Sequence, residues 1–172
     1  GAIFKQCQFD PHTQFHYQSS CLDRSATSKV KTQVAHLIHQ IRSKSTWLAE
    51  CVKHGMLGHP DLTEFIQANR DGIFTHDETV LIELVTKSVA IKAEVVAEDE
   101  RESGCRALLN LGHTFAHAIE PMAELDLFHG EAVSIGLCAA CSCSEALGII
   151  DADYSDHIRT ILQTIGLPTR LP

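Results

Sequence analysis

From about residue 45 to its end, the chain shows helical periodicity broken by glycine and proline, and no segment alternates apolar and polar residues for long as a strand does. Clear breaks fall at Pro60, Gly72 and Gly166. The pattern predicts helices over 46–57, 61–69, 77–99, 106–120, 130–147 and 151–165. The fold class that follows is mainly α, a helical bundle.

The N-terminal part of the chain lacks this regularity. Within residues 1–46, only Val30–Ser43 carries apolar residues at helical spacing. His36 and His39 lie in that stretch, but no carboxylate accompanies them, and we interpret them as surface residues. We therefore expect a divergent segment over 1–46 and an all-α domain over 47–172.

Composition narrows the class of protein. The chain has 172 residues, 44% of them apolar and 21% charged, as in a globular domain with a sizeable core. A net charge of -8 argues against a nucleic-acid surface, because phosphate binding needs a basic face. Seven cysteines without framework spacing, and no recognisable signal peptide, predict a reduced cytoplasmic protein without disulfides.

Three of those cysteines, Cys138, Cys141 and Cys143, crowd into the run of small and apolar residues from 132 to 146. A single Cys-x-x-Cys is weak evidence for zinc, since no second pair completes a site. The run also falls short of the roughly 18 apolar residues that a membrane span requires. We interpret it as a core helix in which cysteine packs as a small hydrophobic residue.

The segment from 106 to 120 carries the strongest functional signal. Wound as a helix, it places five polar side chains within an arc of about 80° and apolar residues around most of the remaining circumference. A solvent face is one explanation, but such faces are usually built from Lys and Glu, so a buried functional site is favoured. The five residues are Arg106, Asn110, His113, His117 and Glu120. No role is assigned to Glu120.

Spacing suggests metal ligands within this arc. His113 and His117 are four residues apart, so both rings can reach one ion from one helix face. His129, at the start of the next helix, offers a third donor. Lys92 lies on the predicted apolar stripe of the 77–99 helix, where it either snorkels to water or points into a polar site.

On spacing alone, Glu50 and Lys53, three residues apart, read as a surface ion pair. A resemblance changes that interpretation. Asn-Leu-Gly-His-Thr-Phe-Ala-His-Ala-Ile-Glu over 110–120, followed by Phe-His-Gly-Glu-Ala-Val over 128–133, closely resembles the signature of the 3-dehydroquinate synthases. Residues 48–55 and 92–102 resemble two further blocks of that family in the correct order. The resemblance covers about 47–172.

The resemblance implies the C-terminal helical domain of that family, whose N-terminal α/β domain binds NAD. This chain has no adjacent glycines and no recognisable dinucleotide loop. We therefore expect a fragment without the NAD domain, inactive alone, whose cofactor-binding residues are unknown. The complete enzyme is expected to be a cytoplasmic homodimer that requires NAD and Zn²⁺ or Co²⁺.

Site roles follow from the matching positions. The resemblance implies Glu50, His113 and His129 as metal ligands, and moves His117 to proton transfer. The implied substrate contacts are Lys53, Lys92, Arg106, Asn110 and His117, of which Lys53, Arg106 and His117 are the expected catalytic residues.

The implied reaction converts 3-deoxy-arabino-heptulosonate 7-phosphate into 3-dehydroquinate and phosphate, in the shikimate pathway of aromatic amino-acid biosynthesis. The expected partner is therefore a small sugar phosphate, with neither nucleic acid nor membrane. Two alternatives stay open: a related sugar-phosphate cyclase of the 2-deoxy-scyllo-inosose or valiolone type, and a helical remnant that has lost catalysis.

Overall fold

The computed structural model describes residues 44–98 and 104–172. Within these ranges the chain forms seven α-helices and two short 3-10 turns, without a strand. The prediction of a mainly α bundle is confirmed. The expectations for Val30–Ser43, His36 and His39 lie outside the described residues. The helices are α1 (Lys44–Met56), α2 (Pro60–Ala68), α3 (Arg70–Thr75), α4 (Glu78–Glu98), α5 (His113–Ile119), α6 (His129–Ala146) and α7 (Ala152–Thr164), with 3-10 turns at Cys105–Asn110 and Ala123–Leu125.

Helices α1 and α6 form the centre of the bundle. Helix α6 packs against α1, α5 and α7, while α1 also contacts α2 and α4. Most of the buried residues of these two helices are small or aliphatic, which allows close helix packing. The fully buried side chains at this centre include Val52, Leu62, Ile66, Leu84, Val133, Leu137, Ile158, Ile161 and Leu162.

The predicted 106–120 helix is wrong as a single element. A 3-10 turn ends at Asn110, and Gly112 then adopts a φ of +78°, which lies in the left-handed region. Helix α5 begins at the next residue, His113. The break matters for the site because it sets the orientation from which His113 enters it.

Two glycines allow α5 to approach α6 at backbone distance. A Cβ built on Gly136 would lie against the carbonyl oxygen of Gly112, far inside the closest real contacts, and 3.0 Å from the amide nitrogen of Ala116. A Cβ on Gly112 would lie 2.8 Å from the amide nitrogen of Leu137. The two helices that begin with histidine are therefore held in direct backbone contact.

Helix α4 presents a different apolar stripe from the one predicted. Its buried positions are Leu81, Leu84, Ser88, Ile91 and Val95. The stripe thus passes beside Lys92, which is exposed, and Val89 is 47% exposed. At the start of this helix the Asp77 carboxylate accepts hydrogen bonds from two backbone amides, at 2.9 and 3.1 Å, and caps it.

The first two thirds of α6 are core, as predicted, but its C-terminal part is not. Cys138 and Cys141 are buried, whereas Cys143 is exposed. Burial raises the pKa of the Cys141 thiol to about 11, as expected of a cysteine that packs as an apolar residue. The four cysteines that the structure assigns, Cys51 and these three, are all free thiols. Among the described helices, none combines the length and the apolar character needed to cross a membrane.

Candidate metal and substrate site

Glu50 and Lys53 lie on one face of α1 and form the ion pair that their spacing suggests, but this pair is largely buried and does not lie at the surface. The Lys53 side chain is only 3% exposed, and its Nζ donates to Glu50 Oε2 at 2.6 Å. Burial lowers the pKa of Lys53, although the neighbouring Glu50 carboxylate acts in the opposite direction. A lysine held in this way presents a positive charge inside the bundle rather than in solvent.

The second oxygen of Glu50 faces His113. His113 Nε2 lies 3.6 Å from Glu50 Oε1, and that oxygen is buried without a hydrogen-bond partner among the described residues. The other ring nitrogen, Nδ1, lies 3.3 Å from the carbonyl oxygen of Leu111. Since a carbonyl can only accept, Nδ1 carries the proton in that contact and leaves the Nε2 lone pair toward Glu50.

His129, the first residue of α6, completes a group of three. One donor atom from each of Glu50, His113 and His129 lies within 4.8 Å of the others. The rings of His113 and His129 have their centroids 5.8 Å apart. Two imidazoles and one carboxylate are the ligand set of catalytic zinc sites, in which a further position stays open.

His117 takes a different place from the one that spacing suggests. Its ring centroid is 5.4 Å from that of His113, yet His117 is exposed and does not belong to the group of three donors. A pair four residues apart does lie on one helix face. The third donor close to Glu50 comes instead from another helix.

The other residues implied by the resemblance are less buried than Lys53. Asn110 ends the first 3-10 turn and is exposed, as is Lys92, while Arg106 is partly buried. Helix α4 packs against that turn, and the charge of Lys92 on α4 contributes to lowering the pKa of Lys53. The polar arc predicted on one helix is split by Gly112: Asn110 and His117 are exposed, while Arg106, His113 and Glu120 are partly buried.

Two polar contacts near the site escaped the sequence prediction. His129 Nδ1 donates to Glu120 Oε1 at 3.0 Å, which gives a partner to the residue at the edge of the polar arc. His54, next to Lys53, is 4% exposed and shares a 2.7 Å hydrogen bond with Ser88 Oγ. Burial lowers the pKa of His54 to about 4. Helical spacing carried no signal for either long-range contact.

Fold and site together define an all-α domain that gathers a glutamate and two histidines from three helices. Comparison with known families makes this specific: the model of the 3-dehydroquinate synthase C-terminal domain matches residues 48–172. The chain belongs to the 3-dehydroquinate synthase family.

Curated relatives agree with this assignment. A 3-dehydroquinate synthase of Thermodesulfovibrio yellowstonii is 44% identical over 126 residues, which are 73% of this chain and 35% of the relative. One of Teredinibacter turnerae is 41% identical over 144 residues, 83% of this chain and 40% of the relative. The chain thus spans little more than a third of the length of these relatives.

A solved structure shows the same fold. The 2-epi-5-epi-valiolone synthase of Streptomyces hygroscopicus, determined with NAD⁺ and Zn²⁺ bound, superposes with a TM-score of 0.66 at 19% identity. The match covers 85% of this chain and 39% of that one. The similarity shows that the two proteins share this fold.

Proposed function

We propose that this chain supplies the metal-binding and substrate-binding part of a 3-dehydroquinate synthase. The reaction would convert 3-deoxy-arabino-heptulosonate 7-phosphate into 3-dehydroquinate and phosphate. The observation that carries the proposal is the group formed by Glu50, His113 and His129. Relatives named for this activity, at 41–44% identity, support the choice of reaction.

The donor group fits a divalent cation. Glu50 Oε1 is buried without a hydrogen-bond partner among the described residues and faces the Nε2 atom of His113, as expected of two ligands to one ion. The oxygen and nitrogen donors suit Zn²⁺. A zinc ion held there would act as a Lewis acid for negative charge on substrate oxygens.

Lys53 has two tasks in this proposal. Its ammonium group bonds Glu50 Oε2, which fixes the carboxylate so that Oε1 is directed to the metal position. Its buried charge also offers an anionic substrate group a partner that water screens poorly. Because the charge is only 3% exposed, a substrate carboxylate or phosphate nearby would compensate part of its desolvation.

The less buried residues around Lys53 would bind the rest of the substrate. Lys92 and Arg106 carry positive charges suited to the carboxylate and phosphate, and the Asn110 amide can donate to a hydroxyl. His117, exposed beside His113, would exchange a proton with a substrate hydroxyl held near the metal ligands. The reaction also requires NAD as its redox cofactor. The roles proposed for the residues of this chain are limited to binding the metal and the substrate.

Zinc titration of the metal-free chain tests the metal part of the proposal. Replacing a ligand should weaken zinc binding by about 100-fold or more in Glu50→Gln, His113→Ala and His129→Ala. His117→Ala is the matched control, since it removes a histidine from the same helix as His113, and its affinity should stay within about threefold of the starting protein. Equal losses of zinc affinity in His113→Ala and His117→Ala would instead indicate that these two histidines bind the ion together, as their spacing suggests.

A chimera tests the reaction. Residues 48–172 would replace the matching segment of the full-length Thermodesulfovibrio yellowstonii relative, and phosphate release would be followed with NAD and zinc present. We expect turnover that is abolished by His129→Ala, whereas the 172-residue chain alone should release no phosphate. A chimera that binds zinc but is no more active than its His129→Ala variant contradicts the proposal.

The same chimera separates this function from the related cyclases. The proposed substrate carries a carboxylate, so a heptulose 7-phosphate without that group should be turned over poorly. A preference for the substrate without the carboxylate would assign the chain to a valiolone-type cyclase, the activity of its structural neighbour.

A further inference from the structure

Glu120 forms a hydrogen bond with His129, one of the three residues of the proposed metal site. It follows the last residue of α5, and its Oε1 accepts a 3.0 Å hydrogen bond from His129 Nδ1. The contact joins the end of α5 to the start of α6, the two helices held together by the Gly112–Gly136 backbone approach. The hydrogen bond between Glu120 and His129 therefore lies in a closely packed part of the bundle.

This contact decides which nitrogen of His129 is free. A neutral imidazole has one N–H and one lone pair, so a proton kept on Nδ1 leaves the lone pair on Nε2. His113 is held in the same form by a different acceptor, the carbonyl oxygen of Leu111, with Nδ1–O at 3.3 Å. Both histidines of the group thus have Nδ1 occupied by an oxygen and Nε2 available.

We infer that Glu120 is a positioning residue, which holds His129 in the Nδ1–H form and aims Nε2 at the metal. The inference rests on the metal site of the proposed function. Carboxylates that accept from the second nitrogen of a ligating histidine fix its ring and raise its basicity, and their loss typically costs 10–100-fold in metal affinity. The side chains of His129 and Glu120 are 37% and 34% exposed, so the lower end of that range is expected here.

The competing explanation is an ion pair at the surface with no effect on the metal. Exposed pairs of this kind contribute little to stability, and their removal leaves the rest of the structure unchanged. The two explanations differ in what happens to the His129 ring. Only positioning predicts a change in its tautomer and in zinc binding.

The test compares Glu120→Ala and Glu120→Gln with Glu145→Ala and Glu145→Gln. Glu145 is an exposed glutamate near the C-terminal end of α6, the helix that begins with His129, so its variants match the change in charge. Long-range ¹H–¹⁵N spectra of the metal-free chain report the His129 tautomer, and competition with a chromophoric chelator reports zinc affinity.

We expect Glu120→Ala to lose the Nδ1–H form and to bind zinc about tenfold more weakly. Glu120→Gln keeps an acceptor oxygen without the charge, and it should retain the tautomer and lose only about threefold. Both Glu145 variants should match the unaltered protein. Either an unchanged tautomer or an unchanged zinc affinity in Glu120→Ala overturns the inference.

Failure of the proposed function gives a different result. If the unaltered chain binds zinc no better than His113→Ala, the metal site is wrong, and with it the role of Glu120 toward a metal. If zinc binding depends on His113 and His129 but not on Glu120, the metal site stands and only this inference falls.

Discussion

Replacing Gly136 by alanine should destabilise the bundle although it adds a better helix former. In an open helix interior the change would stabilise by about 1 kcal/mol, because alanine has a higher helix propensity than glycine. Gly136 lies in the interior of α6, however, and its Cβ would meet the carbonyl oxygen of Gly112 and, at 3.0 Å, the amide nitrogen of Ala116. Both obstacles are backbone atoms, which cannot rotate away as a side chain can.

The size of the effect follows from this overlap. Ordinary van der Waals contact begins near 3.4 Å, so α5 and α6 would have to separate by about 1 Å. Overpacking of this kind costs up to about 3 kcal/mol, and the gain in helix propensity offsets about 1 of it. We expect a net loss of about 2 kcal/mol in the free energy of unfolding, or a decrease of roughly 6 °C in Tm.

Urea denaturation followed by circular dichroism measures this change. Gly104→Ala is the control, because a Cβ there meets nothing within 4 Å. It should change the free energy of unfolding by less than about 0.5 kcal/mol. A Gly136→Ala protein as stable as the starting chain, or more stable, would refute the reasoning, since helix propensity would then outweigh the backbone contact.

Two further variants probe contacts of α1. A Cβ at Gly55 would lie 2.5 Å from Thr63 Cγ2, so Gly55→Ala should cost about 1–2 kcal/mol, and adding Thr63→Ser, which removes that methyl, should recover most of the loss in urea denaturation. The pKa of His54 is lowered to about 4 by burial, so the unfolded chain binds the proton first as the pH falls, and stability decreases between pH 6.5 and 4. The asparagine of His54→Asn does not titrate in this range. Near pH 5, the free energy of unfolding of this variant should therefore fall with decreasing pH by about 1 kcal/mol per pH unit less than that of the unaltered protein. Equal slopes would show that His54 titrates alike in the folded and unfolded states.

Glycine illustrates why the helix boundaries were only partly predictable. The sequence predicts a break at Gly72, yet this residue lies inside α3, where a Cβ would stand 2.8 Å from Val80 Cγ2. The sequence predicts Gly112 within a helix, yet its positive φ falls between the end of one element at Asn110 and the start of the next at His113. The residue type is the same in both cases. Whether glycine serves close packing or a left-handed turn depends on partners distant in sequence.

The site shows a similar division between local and distant information. Helical spacing correctly places His113 and His117 on one face, but it cannot show that His129 approaches from another helix. Spacing likewise gives Glu50 and Lys53 as neighbours without revealing that Lys53 is buried. The family resemblance implies that Glu50, Lys53 and His129 belong to one site, because its motifs come from proteins that share the complete fold. Neither helical spacing nor the family resemblance predicts the contact of Glu120 with His129, which joins the end of one helix to the start of the next.

The two glycine contacts also separate stability from site geometry. Gly136 sets the approach of α5 to α6, the helices that begin with His113 and His129. Gly55 sets the approach of α1 to α2; α1 carries Glu50, but α2 carries none of the three donors. Both alanine variants should lose stability, but only Gly136→Ala moves two donor-bearing helices relative to each other. At temperatures where both proteins are fully folded, zinc affinity should therefore fall in Gly136→Ala and change little in Gly55→Ala. A parallel loss in both would mean that the donor group responds to the stability of the bundle as a whole, and not to the packing between α5 and α6.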